Sequence, residues 1–191
     1  PRCAAALANA GACPAASLIG STSVLSGPGE TPLPMNGRVY LTERYGTAPF
    51  GLSIVVPTAG QAGPFDLGNV VVRAGLFVDR SDASVLVRSD PLPRIIRGIP
   101  LRLRQVVVNI DRQDFMFNPT SCAPLAIGTT VESIEGASWS TSVPFRAGGC
   151  GDLELEQELK LRLTGKKATT DGQHPGIKAT LTAKPGVANL K

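Results

Sequence analysis

Apolar and polar residues alternate most cleanly in the run LELEQELKLRL at 153–163. Leu153, Leu155, Leu159, Leu161 and Leu163 share one parity; Glu154, Glu156, Glu158, Lys160 and Arg162 share the other. A period of two puts every leucine on one face of a strand, whereas helical spacing would scatter them around the axis. Glu, Leu and Lys are good helix formers, but the alternation outweighs propensity. Shorter runs rich in Val, Leu and Ile, bounded by Pro, Gly and Asp, predict further strands at 17–25, 38–45, 52–56, 68–79, 84–89, 101–111, 127–133, 139–145 and 177–183. Asp79-Arg80-Ser81-Asp82 predicts a hairpin turn, because Asp side chains hydrogen-bond the backbone of tight turns. The one candidate helix is 4–12, AAALANAGA, short and interrupted by glycine. About ten short strands with frequent turns, and no βα alternation, predict an all-β, antiparallel β-sandwich with at most one short N-terminal helix.

Length sharpens this picture. At about 150 residues per domain, 191 residues make one domain plus a remainder. The expected division is 1–152 as a sandwich body and 153–191 as the opening strands of another unit. No apolar run approaches the length that spans a membrane as a helix, so no membrane insertion is expected. Low charge, 18%, with 21 Gly and 16 Pro suits a turn-rich β protein.

The formal net charge is +4, from 19 basic and 15 acidic residues. Acids are scattered between the basic residues, unlike the concentrated face of a nucleic-acid reader, and no nucleic-acid partner is expected. One local excess remains: Arg94, Arg97, Arg102, Arg104 and Arg112. Most of that run reads as solvated strand edge. Its alternative role is a polyanion-binding surface for an acidic glycan or wall polymer.

Cys3, Cys13, Cys122 and Cys150 are even in number and contain no CxxC pair, and their spacings of 10 and 28 do not match structural zinc sites. Three connectivities are open. Local closure favours Cys3–Cys13 and Cys122–Cys150, because each pair is flanked by its own turn residues. Disulfides of this kind persist in oxidising compartments, so an extracellular or cell-surface location is expected. The chain opens at Pro1 without a signal peptide and ends at Lys191 without a sorting motif, and reads as a segment of something longer.

No GxSxG, HExxH, P-loop, GxGxxG or EF-hand pattern occurs. A Ser-His-Asp triad would have to use His174, which lies in a polar loop. Oxidised cysteines supply no nucleophile. Asp79 with Asp82, and Asp111 with Asp114, are each two carboxylates, too few for Ca²⁺, and read as turn formers. Glu154, Glu156 and Glu158 read as a charged solvent face. Phe115 and Phe117 share parity on an expected strand and read as core, as does Trp139, which with Tyr40 or Tyr45 could otherwise offer a small sugar platform. No enzyme activity, cofactor or metal is expected.

An ordered set of short segments adds a further reading. Cys3 is followed ten residues later by Cys13-Pro14-Ala15-Ala16-Ser17, then come Gly37-Arg38-Val39-Tyr40-Leu41, Ser89-Asp90-Pro91-Leu92-Pro93, Gly98-Ile99-Pro100-Leu101 and Phe117-Asn118-Pro119-Thr120-Ser121-Cys122. Together they resemble an uncharacterised tandem-repeat module of very large secreted proteins of high-GC Gram-positive bacteria. Repeats of this type open with a segment like the run HPGIKATLTAKPG at 174–186, which here sits near the C-terminal end. The resemblance implies the body of one repeat followed by the start of the next, with neighbouring repeats as partners, and it transfers no catalytic residue. A body lacking its opening strands would expose a sheet edge, and strand 177–183 is expected to add to such an edge, in this chain or a neighbour. The expected function is a non-enzymatic structural or adhesive module of an exported surface protein. The alternatives are a binding module for wall polymer or acidic polysaccharide and, more distantly, a hydrolase with an unrecognised carboxylate site.

Overall fold

A computed structural model describes residues 1–61, 64, 66–119, 122–154, 156–165 and 171–183. The chain divides into two units, Pro1–Met116 and Phe117–Lys191. The expected boundary at 152/153 falls inside the second of them.

The first unit opens with α1 (Ala5–Ala10), followed by β1 (Leu18–Ser26), β2 (Leu33–Thr42), β3 (Phe50–Pro57), β4 (Asn69–Val78), β5 (Val85–Ser89), β6 (Ile95–Ile96), β7 (Ile99–Pro100) and β8 (Leu103–Ile110). Six of the strands form one curled antiparallel sheet in the order β5-β4-β3-β2-β1-β8. The first five make a meander, each paired with the next in sequence, as short connections dictate. β8 then returns to pair with β1 at the other edge.

Register explains the core. Leu41 faces Leu52, which faces Ala74; Phe50 faces Leu76; Val39 faces Ile54. Residues paired in this way share a face, so one face of the sheet is almost wholly apolar. Ile19, Val39, Leu52, Ala74 and Leu76 form its main buried cluster, with Ile110 and Phe115 packed against it, and Val24, Met35 and Val56 form a second. A bulge between Leu18 and Gly20 turns Ile19 into the main cluster.

The opposite face carries α1. Its alanine-rich sequence favours helix, and Gly11 ends it at φ +67° while Ala12 N–H donates to the Leu7 carbonyl at 2.9 Å. A Cβ on Gly11 would come within 2.9 Å of Val71 and 3.1 Å of Val55, so only glycine lets this end lie so close to the sheet. Cys3 bonds to Cys13 across the helix, and Cys3 N–H donates to the Leu41 carbonyl at 2.9 Å, tying the segment to β2.

The second unit holds β9 (Leu125–Glu132), β10 (Ser138–Phe145), β11 (Gln157–Thr164) and β12 (Gly176–Ala183). β9 and β10 form one hairpin, β11 and β12 another. Cys122–Cys150 closes the open end of the first. In each hairpin one face is apolar: Ile127 with Val143 and Val131 with Trp139 in the first, Leu159 with Leu181 and Leu163 with Ile177 in the second. These side chains are all more than half exposed.

Most strand positions follow the sequence pattern within a few residues at their ends; β2 begins five residues before the expected 38, and β6 and β7 were not expected. The all-β antiparallel class holds, with one short α-helix at residues 5–10 among the described residues. Among the described residues the sheets are one of six strands and three of two, so the sandwich arrangement is not established by them. One expectation is overturned: among the described residues strand 177–183 adds to no open edge. Among the described residues it pairs with β11, because Leu181, Ala179 and Ile177 match the leucine face of β11 position for position. Phe115 and Phe117 lie on no strand; Phe115 is half-buried against the main cluster, while Phe117 is 83% exposed and contributes no core.

Candidate functional site

The densest polar chemistry surrounds Arg73, in the middle of β4 on the helix-bearing face. Its side chain is only 6% exposed, and a buried charge must be satisfied to be tolerated. Nε donates to the Leu52 carbonyl at 3.0 Å, one Nη donates to Thr42 Oγ1 at 3.0 Å, and the other donates to Asn9 Oδ1 on α1. The guanidinium lies 4.3 Å from the centre of the Tyr45 ring. Tyr45 in turn donates its hydroxyl to Asp90, whose backbone N–H donates to the Arg73 carbonyl at 2.9 Å. Ser53 Oγ donates to the Ala8 carbonyl at 2.8 Å beside this cluster.

The electrostatics point to a clamp. The hydrogen bond to Asp90, helped by burial, raises the Tyr45 hydroxyl above its ordinary range, so it holds its proton and is a poor base or nucleophile. Burial lowers Arg73 from its ordinary value, with Tyr45 and Asp90 opposing. Each guanidinium nitrogen donates one bond that ties helix or sheet together, and the group's face lies over the Tyr45 ring. Sequence reasoning passed over this residue. The available signal was a lone arginine inside the apolar run NVVVRAGLFV.

A second concentration of charge lies where β6 and β7 meet the start of β8. Arg97 at φ +49° and Gly98 at φ +79° form a two-residue turn between β6 and β7, and positive φ at both central positions is what the tight hairpin turn of the primed type needs. Leu101 N–H donates to the Arg94 carbonyl at 2.6 Å and Gly27 N–H to the Arg102 carbonyl at 3.0 Å, fixing the base of the hairpin. Arg94, Arg102 and Arg104 line an open groove there with Leu92, Pro93, Leu101 and Leu103. Three of the five arginines singled out by sequence therefore come together. The other two are engaged elsewhere: Arg97 donates to the Asp66 carbonyl at 3.3 Å, and Arg112 to those of Ala16 and Leu18 at 2.8 and 3.2 Å.

The remaining candidates have structural explanations. Asp79 accepts from the backbone and hydroxyl of Ser81 at 2.7 and 2.5 Å, and Asp82 accepts from Ser84 N–H at 2.8 Å, so both shape the β4–β5 turn. The Ser81 hydroxyl, then its N–H, lowers the Asp79 carboxyl below its ordinary value. Asp111 and Asp114 follow β8, and among the described residues no three His, Cys, Asp or Glu side chains gather as metal ligands. Glu158 pairs with Lys160 at 3.0 Å on an exposed face. Leu155 lies outside the described residues, and His174 is exposed just before β12. Trp139, expected in a core, is 62% exposed, and Tyr40 is buried. No helix among the described residues is long and apolar enough to cross a membrane. Both disulfides, Cys3–Cys13 and Cys122–Cys150, form as local closure favoured, a pattern suited to an oxidising environment. Compared with models of protein families, with curated proteins and with solved structures, the chain matches none.

Proposed function

We propose that the chain is a non-enzymatic structural or adhesive module of a large exported surface protein, a spacer or display unit in an array with neighbouring repeats. The observation that carries this reading is the pairing of all four cysteines around otherwise modest cores, a stapling that suits life outside the reducing cytosol. The apolar faces of the two C-terminal hairpins support it. Ile127, Val143, Leu161 and Ile177 are each 58% or more exposed, and contiguous apolar strand surface of that kind is what neighbouring modules in an array cover. The most concentrated polar cluster, around Arg73, holds elements together and presents no activated nucleophile.

Antibodies raised against the chain test the placement on intact, unpermeabilised cells of its source. Surface labelling, and loss of cell adhesion or of the surface layer when the segment is deleted from its parent protein, are expected. Labelling only after lysis would contradict the reading.

A further inference from the structure

We infer that the groove lined by Arg94, Arg102 and Arg104 binds an acidic polysaccharide, through carboxylate or sulfate groups laid along the base of the β6–β7 hairpin. This goes beyond a spacer role and does not depend on it.

Three observations converge. First, the three arginines are brought to one groove by backbone bonds that fix its walls, Leu101 N–H to the Arg94 carbonyl and Gly27 N–H to the Arg102 carbonyl. Second, their charge is uncompensated: none has a carboxylate within ion-pair distance among the described residues. The side chains of Arg94 and Arg102 have no hydrogen-bond partner there either, while Arg104 makes one long bond of 3.3 Å to the Gly29 carbonyl. All three are exposed. Planar guanidinium groups left free in this way match the two oxygens of carboxylates and sulfates. Third, the remaining lining is aliphatic, Leu92, Pro93, Leu101 and Leu103.

That lining selects among anions. An exposed ion pair is worth little by itself, so a lone small anion would be held weakly, whereas a chain with several anionic groups engages several arginines at once. Single-stranded nucleic acid uses aromatic platforms for its bases, and no aromatic side chain lines this groove. A polymer with anionic groups on non-aromatic rings fits both features. Arg97 and Arg112, which also stand out in the sequence, do not line this groove; their side chains reach the backbone carbonyls of Asp66 and of Ala16 and Leu18.

Affinity electrophoresis of the full chain in gels containing polygalacturonate, dextran sulfate, neutral dextran or oligodeoxythymidylate tests the inference. Retardation by at least one of the two acidic polysaccharides is expected, with no retardation by dextran. The Arg94→Ser/Arg102→Ser/Arg104→Ser variant should bind at least tenfold more weakly. Arg94→Ser/Arg102→Ser, which removes no internal hydrogen bond, should show most of that loss. Arg38→Ser/Arg44→Ser/Arg80→Ser removes the same charge from exposed positions outside the groove and should change binding less than threefold. Equal losses in the two triple variants, retardation by oligodeoxythymidylate as strong as by the polysaccharides, or no retardation at all would overturn the assignment.

Discussion

Truncating Arg73 to alanine would remove a donor from Asn9 Oδ1, Thr42 Oγ1 and the Leu52 carbonyl and leave an empty volume between α1 and the sheet. Removing one partner from a buried charged network is expensive. The expected cost of Arg73→Ala is about 3 kcal/mol, read from the shift in urea midpoint of the first unit. Tyr45 carries a pH signature of the same network. Its folded hydroxyl binds its proton more tightly than the unfolded one, so this contribution is complete below the ordinary tyrosine value of about 10 and is lost as pH rises through the folded value. Stability should therefore fall more steeply above about pH 10 in the native chain than in Tyr45→Phe. Equal slopes would remove Asp90 as the cause. At this scale the sequence is least informative. The Val-rich run NVVVRAGLFV marks Arg73 as a strand residue, but which groups surround it depends on a helix from sixty residues earlier and a turn from thirty residues earlier.

Elements were far more legible than their partners. A period of two reports which residues share a face and is silent on which strand lies alongside. Hence β11 and β12 were found as strands while the pairing of β12 was misassigned to an open edge. The two-residue strands β6 and β7 are too short for any periodicity, and only Arg97-Gly98 signals their turn. That turn organises the arginine groove. Gly98→Ala puts a side chain at φ +79° and is expected to cost about 1 kcal/mol locally, with weaker polysaccharide retardation although no arginine is changed. Unchanged retardation would separate the groove from the hairpin. The two disulfides were legible because each closes a local loop. Opening Cys3–Cys13 by double serine replacement should cost about 3 kcal/mol in the first unit, and opening Cys122–Cys150 a similar amount in the second, by loop-closure entropy. Denaturation followed separately by Tyr absorbance in the first unit and Trp139 fluorescence in the second distinguishes the two.

As a whole molecule the chain has its best-buried core in residues 1–116, under one curled sheet, and two stapled or paired hairpins with exposed apolar faces beyond it. Strand periodicity and cysteine count were enough to anticipate an all-β, disulfide-bonded protein. They did not place the division, because strand-forming sequence lies on both sides of 116/117. The claim that gives these features one meaning is that the protein works in an oxidising setting outside the cell. Intact-mass analysis of the natural protein, alkylated on extraction without reductant, tests it most directly. The account expects no alkylated cysteine in the segment, with Cys3 linked to Cys13 and Cys122 to Cys150 in the peptide map. Four alkylated thiols would contradict it.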